Sequence, residues 1–254
     1  MVHSLVRVEH VMGMPISLDL DDDLPIAALE RLADEVFDWL RLVDGIFSTY
    51  KPESEISRLG RGELRREDCS AVVGEVLDRC AELWTETGGY FDINAGGMLD
   101  PSGYVKGWAV QRACDRLRDA GSANHCLNAG GDVYVRGAPR GRDRWRIGIR
   151  HPWEALSVAW VLEVTDTAVA TSGTYERGLH VLDPFTGKPA HDLRSVTVVG
   201  PDLGTADAYA TAALAMGLKG IDWLASVPGH ECAIVTEDGR AMRSDNLPVA
   251  PPMP

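Results

Sequence analysis

Two short stretches carry the residue types that phosphate chemistry needs. The first is Asp100-Pro-Ser-Gly-Tyr-Val-Lys106. A turn over Asp100 to Gly103 runs into a helix. The Asp100 carboxylate, the bare backbone of Gly103 and the Lys106 ammonium then crowd around a positive helix end, which suits phosphate oxygens. The same residues also describe an ordinary capped helix with a surface lysine. The second stretch is Thr205-Ala-Asp-Ala-Tyr-Ala-Thr211. Asp207 and Thr211 fall on one face of a helix. Both are hard oxygen ligands, suited to Mg²⁺ or Ca²⁺ and not to a soft metal. They also read as an acidic residue favouring the helix dipole and an unrelated threonine.

Three further stretches offer weaker signals. Ala170 to Arg177 is a turn rich in hydroxyls, followed by His180. A histidine there could act as acid or base, could hydrogen-bond an isoalloxazine or a phosphate, or could be a plain polar residue. Asn128-Ala-Gly-Gly-Asp132 would let backbone approach a ligand closely, and also makes an ordinary hairpin turn. Phe47-Ser-Thr-Tyr50, with Ser54 and Glu55, is a loop in which Tyr50 could stack on a ring or simply pack.

The elements that must position these groups follow from periodicity. The helix over 100–121 carries Val105, Ala109, Ala113, Leu117 and Ala120 at helical spacing, and Gly121 stands where a left-handed cap would end it. Residues 4–20 alternate as a strand or hairpin broken by Met12-Gly-Met-Pro15. The acidic run Asp21-Asp22-Asp23 before Pro25 reads as an N-terminal cap and solvated face for a helix carrying Ile26 to Phe47. A polar loop with one helical turn near Ser54–Leu59 precedes a second amphipathic helix from about Cys69 to Thr87. After Gly121 the period switches to two, with strands at 125–136 around Gly130-Gly131, at 145–150, at 157–170 and at 195–199. An Ala-rich helix over Thr205–Gly217, a short helix near Ile221–Ala225 and a closing hairpin over 231–243 follow, then a Pro-rich tail after Asn246 that reads as frayed or superficial. Helices early and strands late predict an α+β fold of mostly antiparallel sheet with packed helices, as a single domain over 1–254.

The bulk composition narrows the function classes. The 254 residues carry a net charge of -13, which argues against nucleic acid and against an anionic membrane surface as partner. An anionic substrate would need local cations or a metal to offset that field. The five cysteines show no CxxC spacing and read as reduced thiols. No run of 18 apolar residues predicts a membrane-spanning helix, and no signal peptide or lipobox-like cysteine is legible. A cytoplasmic location is expected, with an exported form if the start of the chain has been trimmed.

The order of six motifs is more specific than any one of them. DPSGYVKGWAVQRA, NAGGDVYVRG, ATSGTYERG, HVLDPFTGKP, SVTVVGP and TADAYATA together resemble the ApbE-type flavin transferase family, the FAD:protein FMN transferases. The resemblance runs from Met12-Gly13 to about Gly217. It implies an ApbE-like, T-fold-related architecture and Mg²⁺-dependent cleavage of the FAD pyrophosphate. FMN would pass through its phosphate to a Thr or Ser hydroxyl of an acceptor flavoprotein with a Ser/Thr-Gly-Ala-Thr-like motif, and AMP would leave. FAD pyrophosphatase activity and non-catalytic FAD binding are the alternatives.

By that resemblance, Met12, Tyr50, Tyr90, Phe91, Asp92, Asp100, Lys106, His180 and Leu182 match positions that hold or line the flavin nucleotide. Asp207 and Thr211 match the metal-binding pair, and Gly103 could add only its backbone carbonyl. Asp207 or His180 would serve as the base. Met14 stands where many members have threonine, and the segment from Asp92 to Asp100 is shorter than in many members.

Overall fold

The computed structural model describes residues 4–154, 156–174 and 181–251. Strands β1 (Leu5–Val11) and β2 (Met14–Leu20) form a hairpin. Its two turn residues, Met12 and Gly13, have φ of +56° and +76°. Positive φ at both positions is what a tight two-residue hairpin requires, because that turn matches the twist of the strands. Helices α1 (Ile26–Phe47), α2 (Glu55–Gly60), α3 (Ala71–Glu86) and α4 (Ser102–Asp119) follow. Then come β3 (His125–Ala129), β4 (Asp132–Arg136), β5 (Trp145–Arg150), β6 (Val158–Val164), β7 (Thr167–Gly173) and β8 (Leu193–Gly200). Helices α5 (Leu203–Met216) and α6 (Lys219–Ala225) lead to the closing hairpin β9 (Glu231–Thr236) and β10 (Ala241–Arg243).

Eight strands form one sheet in the order β1-β2-β3-β4-β7-β8-β9-β10, and β5 pairs only with β6. The pairings are antiparallel throughout. The expected α+β class with mostly antiparallel sheet is therefore observed. Period-two alternation divides the sheet into two faces. Leu18, Leu127, Tyr134, Ala170 and Val198 face a core shared with α1, α4 and α5. Val133, Val135, Val169 and Val199 face a smaller core under the β5–β6 hairpin.

Helix α4 is the centre of the helical layer. It is buried on more than one side, through Tyr104, Val105, Trp108, Ala109 and Leu117. Trp39 of α1 donates its Nε1–H to the Ala109 carbonyl at 2.9 Å. Gly107 permits the contact with α5: a Cβ there would overlap the Leu203 carbonyl and lie 2.9 Å from Gly204 Cα. The helix ends as the sequence predicts, with Gly121 at φ +94° and the Ser122 N–H bonded back to Leu117 O at 2.9 Å. Ala120, assigned to the apolar stripe, is exposed.

Three expectations need correction. The acidic run does not cap α1, whose first turn holds no acidic residue. Asp22 is buried instead, and accepts from Ser122 Oγ at 2.5 Å and from the Ala123 and Asn124 backbone N–H groups at 2.8 Å each. It fastens the end of α4 to the start of α1. The hydroxyl-rich segment from Ala170 does not begin as a turn, because β7 continues to Gly173. The described part of the tail, to residue 251, is not frayed: Leu247 enters the smaller core, and Pro248 and Ala250 hydrogen-bond along β6.

Asp22→Ala should lower the unfolding free energy by about 3 kcal/mol, since it strands buried donors. Asp23→Ala, at an exposed neighbour, should change it by less than about 0.5 kcal/mol. Urea titration of both variants checks this.

His125 faces the main core opposite Leu20, with Nδ1 3.0 Å from Ser122 Oγ. Burial pulls its pKa down to about 4, from an ordinary 6.5. As pH falls, the unfolded chain takes up this proton first. His125 thus stabilises the fold fully above about pH 6.5 and loses that contribution towards pH 4, by about 3 kcal/mol in the limit. His125→Gln should flatten the pH dependence of urea unfolding in that window.

Candidate functional site

Four elements bring the candidate residues together. Helix α4 supplies Gly103 and Lys106 from its first turns, and α5 supplies Asp207 and Thr211 from successive turns of one face. The β3–β4 turn supplies Asp132, and β7 supplies Ser172. Close contact of α4 with α5 at Gly107 makes the meeting possible.

Lys106 is the link. Its Nζ lies 2.5 Å from Asp132 Oδ2 and 3.8 Å from Asp207 Oδ2. Asp132 is 0 % and Asp207 2 % exposed. The other Asp132 oxygen, Oδ1, accepts the Thr171 backbone N–H at 3.0 Å. Buried carboxylates of this kind stay charged only when paired and hydrogen-bonded. Asp132 can occupy this place because the two-residue Gly130-Gly131 turn, with φ of +60° and +100°, sets it directly opposite Ala129 at the start of β4.

One turn beyond Asp207, Thr211 Oγ1 lies 3.1 Å from Ser172 Oγ. A Cβ on Gly103 would sit 3.6 Å from Thr211 Oγ1 and 3.2 Å from Phe91 Cε2. Gly103 thus leaves its backbone open towards Thr211, and any side chain would crowd the buried Phe91 ring. The oxygens gathered here are carboxylate and hydroxyl, a donor set that suits a hard divalent cation. Among the described residues no group of three His, Cys, Asp or Glu forms a metal cage, so such an ion would rely on this mixed set.

The remaining expected residues are placed as follows. Asp100 is exposed, and its Oδ1 accepts the Ser102 N–H at 3.0 Å, fixing the entry to α4. Asp92 Oδ1 accepts the Asn94 N–H at 2.8 Å. Tyr90 meets Phe185 edge to face, with ring centroids 4.9 Å apart. Leu182 bridges to Pro189 across the Asp183–Lys188 turn. Met12 sits at positive φ in the β1–β2 turn, a conformation bulky residues rarely adopt outside functional or strained turns. Met14 lies over the neighbouring turn: a Cβ on Gly130 would fall 2.9 Å from Met14 Sδ. Tyr50 is 92 % exposed. His180 lies outside the described residues.

Sequence reasoning missed Asp132 and Ser172 as individual contributors. Asp132 was visible as a carboxylate on the helix-facing side of a strand, alternating with Val133 and Val135 on the other side, and such a residue demands a cation. Ser172 gave no separate signal. A groove of about 300 Å³ between β2, β3 and β5, lined in part by Asp19, Cys126 and Arg146, contains none of the residues gathered around Lys106.

The site brings together the first turns of α4, the Lys106 ammonium and the Asp207–Thr211 oxygen pair of α5. A sequence model of the ApbE family matches residues 12–100 and 94–234, and the chain belongs to that family. Among curated relatives, the FAD:protein FMN transferase of Vibrio cholerae is 36% identical over 129 residues, covering 47% of this chain and 39% of the relative. That of Treponema pallidum is 32% identical over 172 residues, covering 60% and 48%. That of Haemophilus influenzae is 24% identical over 263 residues, covering 78% and 76%. The chain thus spans less than half the length of the first two relatives. The solved flavin transferase ApbE from Vibrio cholerae superposes with a TM-score of 0.83 at 24% identity, covering 96% of this chain and 97% of that one. The ApbE protein of Thermotoga maritima gives 0.83 at 23% identity, with the same coverage. These structures establish the ApbE fold.

Lys106→Met and Asp132→Asn should each lower stability by about 3 kcal/mol, because each leaves a buried partner uncompensated. The double variant should lose less than the sum, with a coupling of about 1 kcal/mol or more. A double-mutant cycle by urea unfolding measures it.

Proposed function

We propose that this chain is a Mg²⁺-dependent FAD:protein FMN transferase acting as a single domain. The observation that carries the reading is the convergence of Lys106, Asp207, Thr211 and Gly103 where α4 and α5 meet. The family membership and the names of the relatives point to the same chemistry.

In this reading FAD is the substrate. The hydroxyl oxygen of an acceptor Thr or Ser bonds to the FMN-side phosphorus, the P–O bond to the bridging oxygen breaks, and AMP leaves with that oxygen. The hydroxyl proton passes to a base, Asp207 or His180. Phosphoryl transfer of this type needs positioning and charge neutralisation more than covalent help from the protein. Lys106, within reach of both Asp132 and Asp207, would place its positive charge beside a pyrophosphate oxygen. Met12, Tyr50, Tyr90, Phe91, Asp92, Asp100, His180 and Leu182 would hold the flavin nucleotide. Asp207, Thr211 and the Gly103 carbonyl would hold Mg²⁺, whose bound charge would stabilise the pyrophosphate oxygens and the leaving group. The acceptor is a flavoprotein segment with a Ser/Thr-Gly-Ala-Thr-like motif. In a chain of net charge -13, this local centre is what makes an anionic substrate tolerable. Among the described residues no helix is long and apolar enough to cross a membrane.

The test incubates the purified protein with FAD, Mg²⁺ and an acceptor domain carrying that motif. AMP and flavin fluorescence on a denaturing gel are followed together. Stoichiometric AMP and a fluorescent acceptor band are expected, with Asp207→Ala and Thr211→Ala slowing attachment by about 100-fold or more. AMP with free FMN and no fluorescent band would replace the transferase with a pyrophosphatase. FAD binding without AMP would replace it with a binding protein.

A further inference from the structure

Helix α5 shows one face to the candidate site and the opposite face to α3. Asp207 and Thr211 share the first face. Thr205 and Tyr209 share the other, since positions two apart differ by about 200° around a helix. Two side chains of α3 grip that second face. Arg79 Nη2 donates to Thr205 Oγ1 at 3.3 Å, and Tyr209 OH donates to Glu86 Oε2 at 2.8 Å. Arg79 and Glu86 are themselves paired, at 2.7 Å from Nη1 to Oε1. The Tyr209 ring meets Trp223 of α6 and His230 edge to face, with centroids 5.2 and 5.1 Å away. Arg79 and Tyr209 as hydrogen-bond donors hold the Glu86 carboxyl below its usual range, so it remains a charged acceptor.

This grip matters because of what α5 is made of. Six of its twelve buried residues are alanine, among them Ala206, Ala208, Ala210 and Ala212. Small side chains give shallow ridges, which bring helices close but constrain rotation about the helix axis weakly. Side-chain oxygens lie about 5–6 Å from a helix axis, so a turn of about 20° moves them by about 2 Å. Errors of about 1 Å in positioning can already cost about 100-fold in rate.

We propose that Arg79, Glu86 and Tyr209 are positioning residues that set the rotation of α5 and thereby aim Asp207 and Thr211 at the Gly103–Lys106 end of α4. The proposal rests on the metal-dependent reading above. It adds residues on α3 that lie behind α5, on the face opposite Asp207 and Thr211.

The experiment compares wild-type protein with Tyr209→Phe, Glu86→Gln and Glu82→Gln. Tyr209→Phe keeps the ring contacts and removes the hydroxyl. Glu82 also accepts from Arg79, at 2.8 Å, but among the described residues it bonds to no residue of α5. Three quantities are read: Mn²⁺ binding without FAD or acceptor, by electron paramagnetic resonance of the free ion; the Mg²⁺ concentration giving half-maximal FMN attachment; and Tm. Tyr209→Phe and Glu86→Gln should each raise the Mn²⁺ dissociation constant and the half-saturating Mg²⁺ about fivefold, with excess Mg²⁺ restoring most of the rate. Glu82→Gln should stay within twofold of wild type. A fall in Tm without a shift in metal dependence would show a merely structural clamp and overturn the proposal. A shift in Glu82→Gln as large as in the other two would overturn it as well. Wild-type protein that attaches FMN but binds no Mn²⁺ would overturn the metal reading and this proposal with it, and leave the transferase standing.

Discussion

The structure depends on a buried ion pair between Lys106 of α4 and Asp132 at the start of β4. Removing both charges from water costs several kcal/mol each, and only close pairing with further hydrogen bonds offsets it. Asp132 meets that condition through Lys106 on one oxygen and the Thr171 N–H on the other. The pair therefore fixes where α4 lies along the sheet. Gly107, one residue on from the lysine, then admits the first turn of α5, and Asp207 arrives within 3.8 Å of the same ammonium. Three elements distant in the chain are registered to one another by one cation.

Glycines and tight turns supply the close approaches that this arrangement needs. The β1–β2 and β3–β4 hairpins use two-residue turns with positive φ, and they lie side by side, with Met14 covering Gly130. Gly103 keeps its backbone clear beneath Thr211 and against Phe91. Asp22 secures the far end of α4 through the three residues after its cap. Helix α4 is thus held electrostatically at both ends and by apolar packing between them.

Much of this was legible in the sequence. Period-two alternation gave the strands near their observed bounds, and the helices with clear apolar stripes, α1 and α3, were read correctly. The pairing of Asp207 with Thr211 on one face followed from spacing alone. What was not legible has physical reasons. Asp22 looks like a helix cap because local signals report only the nearest helix, while its partners are about a hundred residues away. The tail reads as loose because prolines disguise backbone groups that pair with β6. Asp132 was masked by the two glycines before it, whose turn chemistry dominates a local reading. The start of α5 was placed late: Asp202, its true cap, accepts the Thr205 N–H at 2.7 Å, and the helix begins at Leu203.

The strand order has a consequence for how the chain becomes a protein. Strands β2 and β3 are neighbours in the sheet, yet α1 to α4 intervene between them in the chain. Their pairing closes a long loop, and non-local pairing of this kind is slow. During synthesis the first hairpin must wait, with Ile16 and Leu18 uncovered, until β3 has left the ribosome; both are fully buried in the finished fold. The lysine emerges before its aspartate, and both before Asp207 and Thr211. A nascent chain is consequently without the complete cluster of Lys106, Asp132, Asp207 and Thr211 until most of it has been made.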